Sequence, residues 1–141
     1  MKNPLVPYDG SANAQRALTH TLNELRDREG AQLHLLNVHM PPVHTWPGKL
    51  VSPDMIESEF RLESMRLLAP AEALAKAAGM ACTAHVSIGL AAEEIVARAE
   101  QQGCDAIVMG TRGLGAVSGL VLGSVAQKLA HLAPVALTLV K

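Results

Sequence analysis

Short dense apolar runs alternate along this chain with stretches in which Leu, Ala and Val recur every three or four positions. Dense runs suit strands, and the wider spacing lines one face of a helix. "NPLVPYD" predicts a short strand closed by the turn "DGS". Ser11 stands at a helix N-cap position, and Leu18, Leu22 and Leu25 follow at helical spacing. Gly30 marks the end of that helix, and "AQLHLLNV" is the second strand. Residues 39 to 51, "HMPPVHTWPGKLV", are broken by prolines and read as a loop. A helical region starts at Ser52 with Pro53 in its first position, where proline is favoured. Pro70 is expected to kink or split it, and Gly79 to end it.

"ACTAHVSI" sets Cys82, Ala84, Val86 and Ile88 against Thr83, His85 and Ser87. One polar face predicts an edge strand. "LAAEEIVARAEQQ" is a helix stopped by Gly103, and "CDAIVMG" is apolar enough for a central strand. Val125, Leu129 and Leu132 mark the last helix before the last strand, "PVALTLV". Strands alternating with helices predict an α/β fold, a doubly wound five-stranded parallel sheet with helices on both faces. The order 3-2-1-4-5 accommodates the polar third strand. No repeat, linker or low-complexity tract interrupts the chain, so residues 1–141 read as a single domain.

Such sheets bind ligands beyond the carboxyl ends of the strands, where the winding reverses. In this order the reversal lies between the first and fourth strands, which end at Asp9 and Gly110. A loop with five glycines, from Gly110 to Gly123, opens at that place. The dinucleotide fingerprint G-x-G-x-x-G fails, because Gly113, Gly115 and Gly119 are spaced one residue too far and follow the fourth strand. The P-loop fails as well, since no lysine separates Gly123 from Ser124. A lysine-free phosphate cradle remains physically sound. Glycines let backbone N–H groups approach an anion, and the helix opened by Gly123-Ser124 adds unpaired N–H groups and partial positive charge. Ser124 would add a hydroxyl, and Arg112 a charge. The alternative is a loop that only supplies a flexible connection.

Composition narrows the partners. The formal net charge is −1, with acids and bases interspersed, so no basic patch predicts nucleic acid. No run approaches a membrane span, and "MKNPLVPYDGS" has no signal-peptide core, which makes a cytoplasmic location the expectation. Cys82 and Cys104 form no CxxC and are expected to be reduced core residues. The six histidines do not fall at metal-ligand spacings; His39 and His44 come nearest. Glu93 and Glu94 are adjacent on a helix, point in different directions and do not make a catalytic pair.

The motif Gly110-Thr111-Arg112-Gly113, residues 114 to 122, then Gly123-Ser124 resembles the G-x-x-G, nine residues, G-[S/T] signature of nucleotide-binding universal stress proteins. The opening "LVPYDGS", the mid-chain "VHMPP", the strand "CDAIVMGTRG" and the ending "APVALTLVK" extend the resemblance over the whole chain. Two departures are local. Tyr8 replaces a small or β-branched residue, and Ala133-Pro134 stands where Cys-Pro is common. Some members of the family lack the glycine motif and do not bind nucleotide; this sequence is not of that type. The resemblance implies ATP as ligand, with or without Mg²⁺. It puts Asp9 at the adenine or ribose side with Pro7 and Tyr8 on the same rim, and Val38 against adenine. Met109 and Gly110 would lie under the nucleotide, with Gly113, Gly123, Ser124 and Val125 around ribose and phosphates. Without the resemblance, Asp9 could be a turn former with Gly10, Val38 and Met109 core residues, and Ser124 a helix cap.

The leading functional reading is an ATP-binding regulatory or stress-response module with little or no turnover. No Walker lysine or general base is recognisable beside the loop, and phosphoryl transfer needs such groups. One rival is a slow ATP-hydrolysing or phosphotransfer enzyme using Arg112 or Ser124. The other is a dimeric interaction protein that needs no nucleotide. A homodimer is expected through the last strand, residues 134–140, because an apolar sheet edge can pair with its own copy about a two-fold axis. Trp46, in the proline-broken loop, is expected on the ligand rim.

Overall fold

The computed structural model describes residues 1–40, 53–111 and 122–141. The first dense run forms β1 (Pro4–Pro7), and Ser11 caps α1 (Ala12–Leu25) by accepting a hydrogen bond from the Ala14 N–H at 3.1 Å. Then follow β2 (Gln32–His39), α2 (Pro53–Ala77), β3 (Ala81–Ile88), α3 (Ala91–Gln101), β4 (Ala106–Gly110), α4 (Ser124–Leu132) and β5 (Ala136–Val140). Every strand pair is parallel and the order is β3-β2-β1-β4-β5, as the alternation predicted. β1 is central, with Leu5 beside His34 of β2 and Ile107 of β4.

The period-2 alternation of the strands separates two cores. Val6, Leu33, Leu35 and Val108 pack under α1 and α2 with Leu18, Leu25 and Leu68. Leu5, Leu36 and Ile107 pack under α3 and α4 with Ile95 and Leu129. Each of these large side chains contributes about 1.5–3 kcal/mol by leaving water. Cys104 is buried and Cys82 partly so, both free; burial pushes each thiol up to about 11, as inert core residues require.

One boundary expectation differs from the structure and another is narrowed by it. α1 ends at Leu25, and Gly30 instead serves the turn into β2 with a φ of 75°. Pro70 does not split α2, which runs unbroken through it. Arg66, whose carbonyl loses its usual donor to the proline, is exposed along with Pro70, so water can satisfy that carbonyl. Pro53 does open α2.

β3 is an edge strand, as its polar face predicted, and only the Thr83 end of that face is left exposed. Arg98 of α3 reaches over it and donates to the Ser87 hydroxyl at 3.1 Å. His85 stacks on His34 of β2, with ring centroids 5.2 Å apart. β5 forms the opposite edge, with Ala136 and Leu139 exposed.

Candidate functional site

Parallel winding makes the helices start at the carboxyl edge of the sheet. There, across the reversal between β1 and β4, lies a cavity of about 460 Å³. Its floor is the ends of β1, β2 and β4, and its walls are the first turns of α1, α3 and α4. Of the expected site residues, Pro7, Tyr8, Asp9, Val38, Met109, Gly110, Gly123, Ser124 and Val125 all line it. Arg112 and Gly113 lie outside the described residues, as do His44 and Trp46.

The α4 wall is built by hydrogen bonds that continue the sheet. Thr111 N–H donates to the Val140 carbonyl at 3.0 Å, and Gly123 N–H donates to the Thr111 carbonyl at 2.8 Å. The chain leaving β4 and the chain entering α4 are thereby held together. Gly123 is the N-cap, with no side-chain acceptor of its own, and Ser124 is the first helical residue. The opening N–H groups of a helix have no acceptor within it and carry partial positive charge. Glu93 and Glu94 offset that charge in the first turn of α3, whereas the first turns of α1 and α4 carry no acid. Of these two, α1 is capped by the Ser11 side chain, whereas α4 has no side-chain cap.

The β1 wall has the opposite character. Asp9 is the one charged side chain among the described lining residues. Its Oδ1 accepts from the Ser11 N–H at 3.0 Å, across a turn in which Gly10 has a φ of 79°. Asp9 is thus a turn former and a wall of the cavity at once. Tyr8 is buried and belongs to the core under α1 and α2 as well as to the cavity lining. Gly110 has a structural reason to be glycine. A Cβ there would stand 2.6 Å from Asn13 Cβ and 2.8 Å from the Asn13 carbonyl carbon. The close approach of α1 to β4 excludes a side chain whether or not a ligand is present.

Glu93 and Glu94 make different contacts. Glu93 binds Lys128 of α4, which holds its carboxyl below the usual range. Glu94 lies over Gly89. Sequence reasoning missed Ser11, Asn37, Ile95 and Thr111, which also line the cavity. Asn37 left a signal, as the one polar residue in the run "LLNV". Among the described residues no cluster of three or more His, Cys, Asp or Glu could hold a metal ion. No helix there is long and apolar enough to cross a membrane.

A doubly wound α/β domain with a cavity at its winding reversal and a glycine-entered helix beside it defines a broad class of small-ligand binders. The profile of the Universal stress protein family matches residues 1–141, and the chain belongs to that family. A universal stress protein of Thermus aquaticus, named for its place in the QAH/OAS sulfhydrylase 3′ region, is 34% identical. That match covers 99% of this chain and 98% of the relative. The Bacillus subtilis universal stress protein YxiE is 30% identical over 91% and 90% of the two chains. Among solved structures, UspA from Lactobacillus plantarum superposes with a TM-score of 0.82, at 23% identity, over 99% and 97% of the chains. A universal stress protein in complex with cAMP gives 0.73, also at 23% identity, over 99% and 97%. The Archaeoglobus fulgidus protein in complex with dAMP gives 0.69, again at 23% identity, over 100% and 98%.

Proposed function

We propose that this chain is one ATP-binding domain that acts as a regulatory or stress-response module, with little or no turnover. The observation that carries the reading is the polarity of the cavity. An uncompensated helix N-terminus at Gly123-Ser124 faces, across the ends of β1 and β4, a wall with the Asp9 carboxylate and apolar Val38. Phosphates favour the first. A carboxylate repels phosphate but accepts hydrogen bonds from ribose hydroxyls or an adenine amine, and Val38 suits a base. The two relatives of this fold in complex with cAMP and dAMP support an adenine nucleotide as the ligand class. ATP follows from the glycine signature, with Arg112 and Gly113 completing the phosphate side. Mg²⁺, if bound, would be held chiefly by the phosphates and water.

Slow turnover accords with the lining. Asp9 is the one acidic lining side chain among the described residues, and one of its oxygens caps the Ser11 N–H. We place the protein in the cytoplasm and assign it a homodimer through residues 134–140, where β5 forms a sheet edge. Saturating ATP should raise the melting temperature, because a ligand of the folded state alone stabilises it by mass action. Gly123→Val and Gly113→Phe should lose that rise. Equal ATP stabilisation in the parent and both variants would remove the assignment to this cavity.

A further inference from the structure

Two polar side chains that the signature does not include are buried next to the nucleotide wall. Asn37, near the end of β2, is 5% exposed, and Ser64, in the middle of α2, is 0% exposed. Leaving such groups without partners costs about 1–3 kcal/mol each, so their hydrogen bonds define their orientation. The Ser64 hydroxyl donates to Asn37 Oδ1 at 2.7 Å. This fixes the amide, and Asn37 Nδ2 donates to the Tyr8 carbonyl at 2.8 Å.

The Tyr8 carbonyl sits where the chain leaves the sheet. β1 ends at Pro7, and the Tyr8 N–H makes one more ladder contact, to the Leu36 carbonyl at 2.7 Å. Beyond it the backbone turns through Asp9 and Gly10 into α1. The Asn37 amide therefore holds the last peptide before Asp9. Tyr8 and Asn37 line the cavity, whereas Ser64 does not. Among the described residues, the hydrogen bond that links Ser64 to the lining is the one to Asn37.

We infer that Asn37 and Ser64 are positioning residues: together they tie α2 to the Tyr8–Asp9 peptide and set the nucleoside wall of the cavity. This rests on the nucleotide reading above. A carboxylate that has to meet a hydroxyl or amine within hydrogen-bond distance tolerates little displacement. Its backbone is anchored here by a side chain from the neighbouring strand and a hydroxyl from the next helix.

The test is calorimetric ATP binding at low temperature, where every variant is folded by circular dichroism. Ser64→Ala removes the donor that orients the amide, and Asn37→Leu removes the link itself while keeping its bulk. Each should weaken ATP about tenfold, the equivalent of one lost net hydrogen bond. The double variant should be no weaker than Asn37→Leu alone, because Ser64 acts through Asn37. Leu25→Val, a core change at the far end of α1, should lower the melting temperature and leave the affinity unmoved. A general softening of the fold would instead weaken ATP in Leu25→Val as well. If Asn37→Leu does not fold, Ser64→Ala against Leu25→Val decides the matter alone. Variants that bind within twofold of the parent, or affinity losses that simply add in the double variant, overturn the inference. A parent that binds no ATP overturns the functional reading and this one with it, and is seen before any variant is made.

Discussion

The histidine pair on the α3 side of the sheet should make stability fall with pH in a window set by its geometry. Asn3 Nδ2 donates to the carbonyls of Gln102 and Gly103, which leaves Asn3 Oδ1 as the acceptor for His34 Nε2 at 2.9 Å. His34 therefore carries its proton on Nε2, and its bare Nδ1 accepts from His85 Nε2 at 2.9 Å. A proton added to His34 would set two N–H groups against each other. A proton added to His85 would keep that bond but place a cation beside Arg98, whose buried Nε has no partner among the described residues. Burial, then Arg98, then His34 push His85 down to about 4 from its ordinary 6.5, and burial also lowers His34. Among the described residues, the charge that bears on the pair is Arg98 of α3, and each ring opposes protonation of the other.

Between pH 6.5 and about 4 the unfolded chain binds a proton at residue 85 that the folded chain refuses. The stabilisation is complete above 6.5, declines as pH falls through the window and changes no further below about 4. Going from pH 7 to pH 5, a shift of this size gives a ceiling of about 2 kcal/mol. Partial exposure of His85 to solvent screening reduces the expectation to roughly 1 kcal/mol. Urea unfolding at the two pH values measures it. His85→Gln is the control, because the amide can still donate to His34 but does not titrate. The parent should lose roughly 1 kcal/mol more than the variant between pH 7 and pH 5. Identical pH dependence in the two proteins would refute the argument, since every other titrating group is shared.

Gly110→Ala should destabilise the fold by about 1–3 kcal/mol, because its Cβ meets backbone atoms of α1 that cannot swing aside. Chemical denaturation without nucleotide checks this, and an unchanged midpoint would return Gly110 to a purely ligand-facing role. The β5 edge should pair with its own copy, so sedimentation at micromolar concentration should show a dimer. A monomer at that concentration would reject the assembly.

What could be read from the sequence was what periodicity encodes. Parallel pairing followed from the alternation of β and α runs, and the order 3-2-1-4-5 fitted the polar face of "ACTAHVSI", which suits an edge. The cavity followed from the order, since the reversal between β1 and β4 fixes where chain ends diverge. Whether Pro70 splits α2 was not legible, because a proline's effect on a helix depends on whether the freed carbonyl meets water, and exposure is a tertiary property. Asn37 and His34 were invisible as functional positions for a related reason. A polar residue inside an apolar strand announces that it needs a partner, but not which one. Ser64 is 27 residues from Asn37, and His85 is 51 from His34, distances over which only the folded sheet makes neighbours. Gly110 was assigned to the ligand, whereas packing of Asn13 already requires it.

The two buried polar networks therefore have separable consequences, although both begin on β2. His34 and Asn37 are an odd number of residues apart, so their side chains lie on opposite faces of the sheet. His34 joins β3 and the start of β1 beneath α3, away from the cavity lining. Asn37 joins the end of β1 to α2, at the cavity. Protonation at His85 should lower stability while ATP affinity per folded molecule holds, because Asn3, His34, His85 and Arg98 do not themselves line the cavity. Loss of the Asn37 amide should lower affinity at constant pH dependence. One strand thus carries a stability-determining contact on one face and a ligand-positioning contact on the other. The period of two that keeps the cores apart also keeps the two effects apart.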